Sequence, residues 1–206
     1  MSTRLPAPAR REQILAVAVE VFSVDGYHNT SMNEVAEAAG VTKPVLYQHF
    51  DSKRELYRAL LDEVGERLLT AITEATATVT DGKSRTEAGF LGYFRWVAED
   101  HASFRLLFGG GARRDDEFSA AVRRVTAAAA GAIAPLIEVE IDEERKLMLA
   151  HALVGLAEGA SRMLVDHGEV FDPDEVAAAV SGLAWAGLRA VQRARDQRGP
   201  GSRHHP

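Results

Sequence analysis

The sequence predicts an all-α protein of about nine helices, a small N-terminal three-helix unit followed by a larger helical region. Three observations predict it. Apolar residues recur at helical spacing through most of the chain. No segment alternates apolar and polar residues long enough to read as a strand. Helix-start signals, a Ser or Asp followed three residues later by Glu or preceding a proline, recur along the chain and are followed by glycine stops.

Ile14, Leu15, Ala18, Val21 and Phe22 form the apolar face of a first helix over roughly Ala9 to Val24, and Asp25-Gly26 stops it. Ser31 with Glu34 is a capping box opening a short second helix, expected to bury Met32, Val35 and Ala38 before Gly40 forces a turn. Thr42 is placed to cap a third helix, Pro44 suits its first turn and Phe50 closes it. A helix of about two turns is marginal alone, so one that is capped and then stopped implies a short rod held at a fixed angle. Ser52 with Glu55 opens a fourth helix, striped by Leu56, Leu60, Val64, Leu68 and Ile72 and fading near Thr80-Asp81-Gly82.

Beyond Gly82 the composition shifts. Aromatic residues cluster at Phe90, Tyr93, Phe94, Trp96, Phe104 and Phe108, and alanine dominates from Ala120 to Ala134. Asp142 and Asp172 cap two final helices, over about Glu143 to Asp166 and Pro173 to Asp196. The expected division is residues 1–50, residues 51–198 and a disordered tail over 199–206.

With 206 residues and 46% hydrophobic content, the chain can bury a real core. It has no cysteine, which fits a reducing cytoplasm. Ile14 to Phe22 is interrupted by Glu20 and reads as an amphipathic helix, not a secretory segment. Ala127 to Ile137 is too short to span a bilayer and contains Pro135, so a soluble protein with no membrane partner is expected. The net charge of −6 speaks against binding nucleic acid by bulk electrostatics. Even in residues 1–55, Arg4, Arg10, Arg11, Lys43, Lys53 and Arg54 are outnumbered by seven acids. Any contact with a phosphate backbone must rest on where the few positives point.

Gly26-Tyr27, Thr30-Ser31, Val35-Ala36, Ala39-Gly40-Val41, Tyr47-Gln48-His49-Phe50 and Lys53 together resemble the DNA-binding domain of the TetR family of bacterial transcriptional regulators. The resemblance implies a helix-turn-helix whose third helix enters the major groove of double-stranded DNA. Carried over by position, Thr42, Lys43 and Pro44 sit at the groove end, and Lys43, Pro44, Val45 and Gln48 face base edges. Tyr47, His49 and Lys53 are then expected to hold phosphates, Ser31 to offer its hydroxyl and helix start to another, and Asn33 to reach a base or the backbone. Leu46 and Phe50 read as core.

A palindromic operator requires two such helices about 34 Å apart, or a multiple of it, hence a homodimer. The resemblance assigns that role to the last two helices. Val176, Val180, Leu183, Gly187 and Val191 form a stripe, and Gly155 and Gly159 permit close helix approach. The family also implies an effector among the middle helices, with Phe90, Phe94, Trp96, Phe104, Leu107, Phe108, Leu153, Leu156, Met163 and Trp185 as the expected lining. Such a lining favours a small apolar or aromatic effector. The run from Phe104 to Arg114 is similar to actinobacterial members that govern fatty-acid synthesis and sense long-chain acyl-CoA, in which case Arg113, Arg114 or Arg123 would meet phosphates. The alternative is a regulator of multidrug efflux sensing aromatic or cationic compounds. A repressor is the expectation in either case.

An enzyme is the rival class. His101, His151 and His167 with Asp100 and Asp166 lack the spacing of a helical metal site, and no HExxH or nucleophile elbow occurs. Gly109-Gly110-Gly111 has neither a following Lys-Ser/Thr nor a preceding strand, so it reads as a loop. No cofactor or metal is expected. A purely protein-binding scaffold would leave the spacing from Gly26 to Leu56 unexplained.

Overall fold

In the computed structural model, residues 6–109, 116–168 and 170–198 are described. The described residues form α1 (Ala7–Asn29), α2 (Met32–Ala38), α3 (Lys43–His49), α4 (Lys53–Thr76), α5 (Gly82–Glu99), α6 (His101–Phe108), α7 (Asp116–Ile133), a 3-10 turn (Ala134–Leu136), α8 (Glu143–Asp166) and α9 (Pro173–Arg198), with no strand among them. The all-α reading therefore holds. The expected tail, with Gly110, Gly111, Arg113 and Arg114, lies outside the described residues.

The helix ends follow from their capping residues. At Gly26, φ of 72° and ψ of 172° break α1 where Asp25-Gly26 predicts a stop, and one further turn carries the chain to Asn29. Such a φ costs glycine little and any other residue more. α2 opens on the Ser31–Glu34 capping box: the Glu34 amide donates to Ser31 Oγ at 3.2 Å, and the Ser31 amide to the Glu34 carboxylate at 2.6 Å. It closes in a Schellman motif, with Gly40 at φ 64°, its N–H on the Glu37 carbonyl and the Val41 N–H on the Ala36 carbonyl.

One expectation here is corrected. Ala38 is exposed, and Ala36 and Ala39 are buried in its place. In a helix this short the inward side is Met32, Val35, Ala36 and Ala39, the i, i+3, i+4, i+7 set.

The described residues pack as two compact units, one from 6–68, 99–109 and 116–125, the other from 69–98, 126–168 and 170–198. In the first unit α6 packs on α1, and Ile14, Ala18, Leu56, Leu60, Val64, Leu107 and Phe118 lose all contact with solvent. Asp100 caps α6 by accepting the Ser103 amide at 2.8 Å, and Arg67 of α4 donates to both Asp100 (3.2 Å) and the Ser103 hydroxyl (3.0 Å). The Asp100 carboxylate weighed as an acid–base group thus serves as a helix cap and ion-pair partner.

In the second unit Ala130, Ala134, Ile137, Val139, Ala150 and Leu188 form a core with Leu153, Trp185 and Val191 packed against it. Glu138 ties the start of α5 into this unit, accepting the Gly82 amide at 3.1 Å and Arg85 at 3.0 Å. Gly92 lets α5 lie directly on α4: a Cβ there would stand 2.6 Å from the Ala71 carbonyl oxygen and 2.7 Å from the Ala75 Cβ.

Because that obstacle is backbone, Gly92→Ala should lower unfolding free energy by a net of about 1–2 kcal/mol in urea titration, overpacking outweighing the gain in helix propensity. An unchanged midpoint would show that α4 and α5 separate freely.

Candidate nucleic-acid interface

α3 is a seven-residue rod held by two side chains. Leu46 and Phe50 are 0% and 1% exposed, and the Arg11 guanidinium lies 4.9 Å from the centre of the Phe50 ring. Burying the Leu46 and Phe50 side leaves the opposite one outward by helical geometry. Thr42, Lys43, Pro44, Tyr47 and Gln48 are exposed, while Val45 and His49 are half-buried. The Lys43 ammonium sits 6.0 Å from the Tyr47 ring centre. Thr42 occupies the cap position without a side-chain cap bond, so its hydroxyl is not committed to capping α3.

Ser31 and Asn33, at the start of α2, are also exposed. Ser31 Oγ accepts from the Glu34 amide. The hydrogen bonds from the Ser31 backbone and side chain hold the Glu34 carboxyl below the usual carboxylate range, and Lys53 adds a smaller pull in the same direction.

Lys53 is placed differently from the expectation. Its ammonium donates to the main-chain carbonyls of Tyr27 (2.7 Å), Thr30 (2.8 Å) and His28 (3.3 Å), and stands 4.5 Å from the Tyr27 ring centre. An ammonium has three donors, and here all three are engaged. Lys53 is therefore corrected from a phosphate contact to a fastening between the start of α4 and the turn that follows α1.

Beside this fastening lies a cluster that sequence reasoning missed. Tyr27 and Tyr57 each pack on Phe118 at 4.6 Å between ring centres and on each other at 5.1 Å, with Phe22 at 5.1 Å from Tyr57. Burial pushes the Tyr57 hydroxyl up to about 12. The available signal was weak: Tyr57 follows Leu56 on the same buried side of α4, whereas nothing local marks Phe118.

The expected effector lining divides between the units. Phe104, Leu107 and Phe108 are buried in the first, and Phe90, Phe94 and Trp96 in the second, with Leu153, Leu156 and Trp185 half-buried there. Met163 is 53% exposed and is corrected out of the lining. Four residues beyond Gly159, it continues an open stripe of α8 formed by Met148, Ala152, Gly155 and Gly159.

α9 presents a similar stripe of Ala179, Leu183, Ala186 and Ala190, with Leu183 63% exposed and Gly187 beside it. Val176 and Val180 are half-buried, and Val191 packs on the core of its own unit, which corrects its assignment to the open face. Its position eight residues after Leu183 turns it toward Leu188 and Ala150 instead. Among the described residues no three His, Asp or Glu side chains gather as metal ligands.

Residues 14–60 match the model of the bacterial regulatory proteins of the tetR family, and residues 83–187 match the tetracyclin repressor-like C-terminal domain. The HTH-type transcriptional activator FasR of Mycolicibacterium smegmatis is 35% identical over 190 residues, covering 91% of this chain and 87% of that protein. A TetR-like transcriptional regulator from Rhodococcus sp. RHA1 superposes with a TM-score of 0.76 at 30% identity, over 90% of this chain and 99% of its own. The transcriptional regulator FadR from Bacillus subtilis, solved in complex with stearoyl-CoA, shares the fold with a TM-score of 0.74 at 17% identity, over 84% of this chain and 96% of its own.

Lys53→Met should reduce stability by about 2 kcal/mol in urea unfolding, the scale of hydrogen bonds to a charged group. An unaltered midpoint would return Lys53 to the surface. The depressed Glu34 carboxyl adds stability that is present above the unfolded carboxylate range and is lost as pH falls through its lower folded value. Glu34→Gln should accordingly flatten the acid limb of the stability profile and leave the alkaline limb unchanged.

Proposed function

The chain belongs to the TetR family of bacterial transcriptional regulators and is a ligand-responsive regulator, not an enzyme; we propose that it grips a palindromic operator as a homodimer and that a long-chain acyl-CoA alters that grip. The observation that carries the DNA reading is the outward row of α3 on a rod fixed by Leu46 and Phe50. Lys43 has the reach and donors for a guanine edge, Gln48 for an adenine, and Pro44 and Val45 offer apolar surface to a thymine methyl. Tyr47, His49, Ser31 and Asn33 set register on phosphates, with Thr42 at the groove end. Few cations are involved, so specificity rests on placement and on doubling by symmetry.

The open stripes of α8 and α9 support the dimer. At Gly155, Gly159, Gly182 and Gly187 a Cβ would meet nothing within 4 Å, so nothing within the chain calls for glycine there. Each glycine in a helix interior costs about 1 kcal/mol relative to alanine, and the close approach of a partner helix accounts for that cost. α8 is the one helix among the described residues long and apolar enough, by length and composition, to cross a membrane. We read its exposed side, with that of α9, as a helix-pairing surface and not a membrane span, and the cytoplasm, where its DNA is, as the proposed location.

Two observations favour an acyl effector over a cationic drug. No Asp or Glu is buried among the described residues, so a buried cation would lack a counter-charge. The FadR relative of the same fold was solved with stearoyl-CoA. The activator name of the 35%-identical relative favours activation over the repression expected from the motif alone.

A gel shift on the DNA flanking the protein's own gene tests this reading. Stearoyl-CoA should change affinity by about tenfold, within the usual range of allosteric coupling. Lys43→Ala should relax base preference at one position per half-site at a cost of about 1–3 kcal/mol. Sedimentation should give a dimer at micromolar concentration and a monomer for Gly159→Leu. A strictly monomeric wild type would sink the operator model.

A further inference from the structure

Among the described residues, three buried polar atoms inside the second unit have no hydrogen-bond partner: Tyr93 Oη, Trp96 Nε1 and Ser161 Oγ. Their residues are 6%, 7% and 0% exposed. Tyr93 and Trp96 are three residues apart on α5 and share a face, with ring centres 6.2 Å apart. Ser161, on α8, lies close enough to the Tyr93 hydroxyl to influence its proton, yet the two do not close a hydrogen bond. Each buried donor left unmet costs about 1–3 kcal/mol, and these fall on one face of α5 and on the Ser161 side chain next to the Tyr93 hydroxyl.

The donor inventory limits what can satisfy them. An indole N–H only donates, and each hydroxyl carries one proton. If either hydroxyl turned to the other, two donors would still face outward, so the cluster has an excess of protons and calls for an acceptor. Charge narrows the choice further. Glu158 and Arg162, the ionisable groups that act on Tyr93, are joined in an ion pair one turn apart on α8. That pairing leaves no uncommitted cation among them for a buried anion, whose desolvation would then go uncompensated. Phe90, Phe94 and Val97, buried on the same helix, offer only apolar contact.

We infer that Tyr93, Trp96 and Ser161 form a polar anchor for an uncharged hydrogen-bond acceptor of the effector, the carbonyl oxygen of a thioester or related acyl group. The inference rests on the acyl-effector reading and adds to it how the effector is distinguished from a bare hydrocarbon chain. The anchor reads the carbonyl, and the surrounding aromatic and aliphatic side chains read the chain.

Titration calorimetry on the full-length protein compares stearoyl-CoA with S-octadecyl-CoA, in which a methylene replaces the thioester carbonyl. Wild type should bind the thioester about tenfold more tightly, the upper range for a buried hydrogen bond. Tyr93→Phe with Ser161→Ala, which leaves the Trp96 N–H in place, should lose part of that preference, and adding Trp96→Phe should bring both ligands near the wild-type affinity for the thioether, with circular dichroism confirming the fold. Equal binding of both ligands by wild type, or a preference that survives in the triple variant, would overturn the anchor and leave the acyl-CoA reading intact. A co-crystal structure with only an ordered water on the three donors would do the same. Binding of neither ligand by wild type would overturn the effector reading and the anchor together.

Discussion

Three carbonyls around one ammonium fix the geometry on which the reading head depends. By holding Tyr27, His28 and Thr30 with Nζ, Lys53 makes the first residue of α4 and the turn after α1 a single body. α2 begins two residues after Thr30, α3 ends four residues before Lys53, and the turn between them is set by Gly40 and its two hydrogen bonds. The helix-turn-helix is thus closed at both ends, and the angle of α3 leaves little to chance. The Tyr27, Tyr57, Phe118 and Phe22 rings pack beside this junction and keep it dry on one side. Such dryness strengthens a charge-assisted bond compared with the same bond in water.

Local chemistry was the legible part of the sequence. Ser31–Glu34, Gly40, Asp142 and the stop at Gly26 all act where their residue types predict, because a cap or a left-handed turn involves neighbours a few residues away. The inward faces of α3 and α4 were legible for the same reason. What escaped depends on distant partners. Lys53 carries the same charge whether it meets phosphate or carbonyl, and only the return of residues 27–30 to its side decides between them. Met163 has the composition of a pocket residue, but its direction is set by where α9 packs on α8. Phe118 sits far along the chain from the tyrosines it touches.

The acidic composition looks less contradictory once the residues are located. Of the cations near the reading head, Lys53 is half-buried and engaged with main-chain carbonyls, Arg11 lies over Phe50, and Lys43 extends from the exposed face of α3. The head offers shape and hydrogen-bonding groups more than charge. Non-specific binding, which is almost wholly electrostatic, is correspondingly disfavoured against specific binding. An overall negative field then acts as a filter, holding the molecule off random duplex.

Seven residues make too short a helix to persist alone in water. α3 exists because Leu46 and Phe50 are built into the core of the first unit, together with Ile14, Leu56 and Leu60. The reading head therefore has no independent melting of its own: to fray it, the core must open. In the language of cooperative units, the surface proposed to meet the DNA and the interior that holds the unit together form one foldon. A heat-damaged molecule would lose recognition all at once and would not drift through a population of half-formed heads that still bind weakly and at the wrong sites.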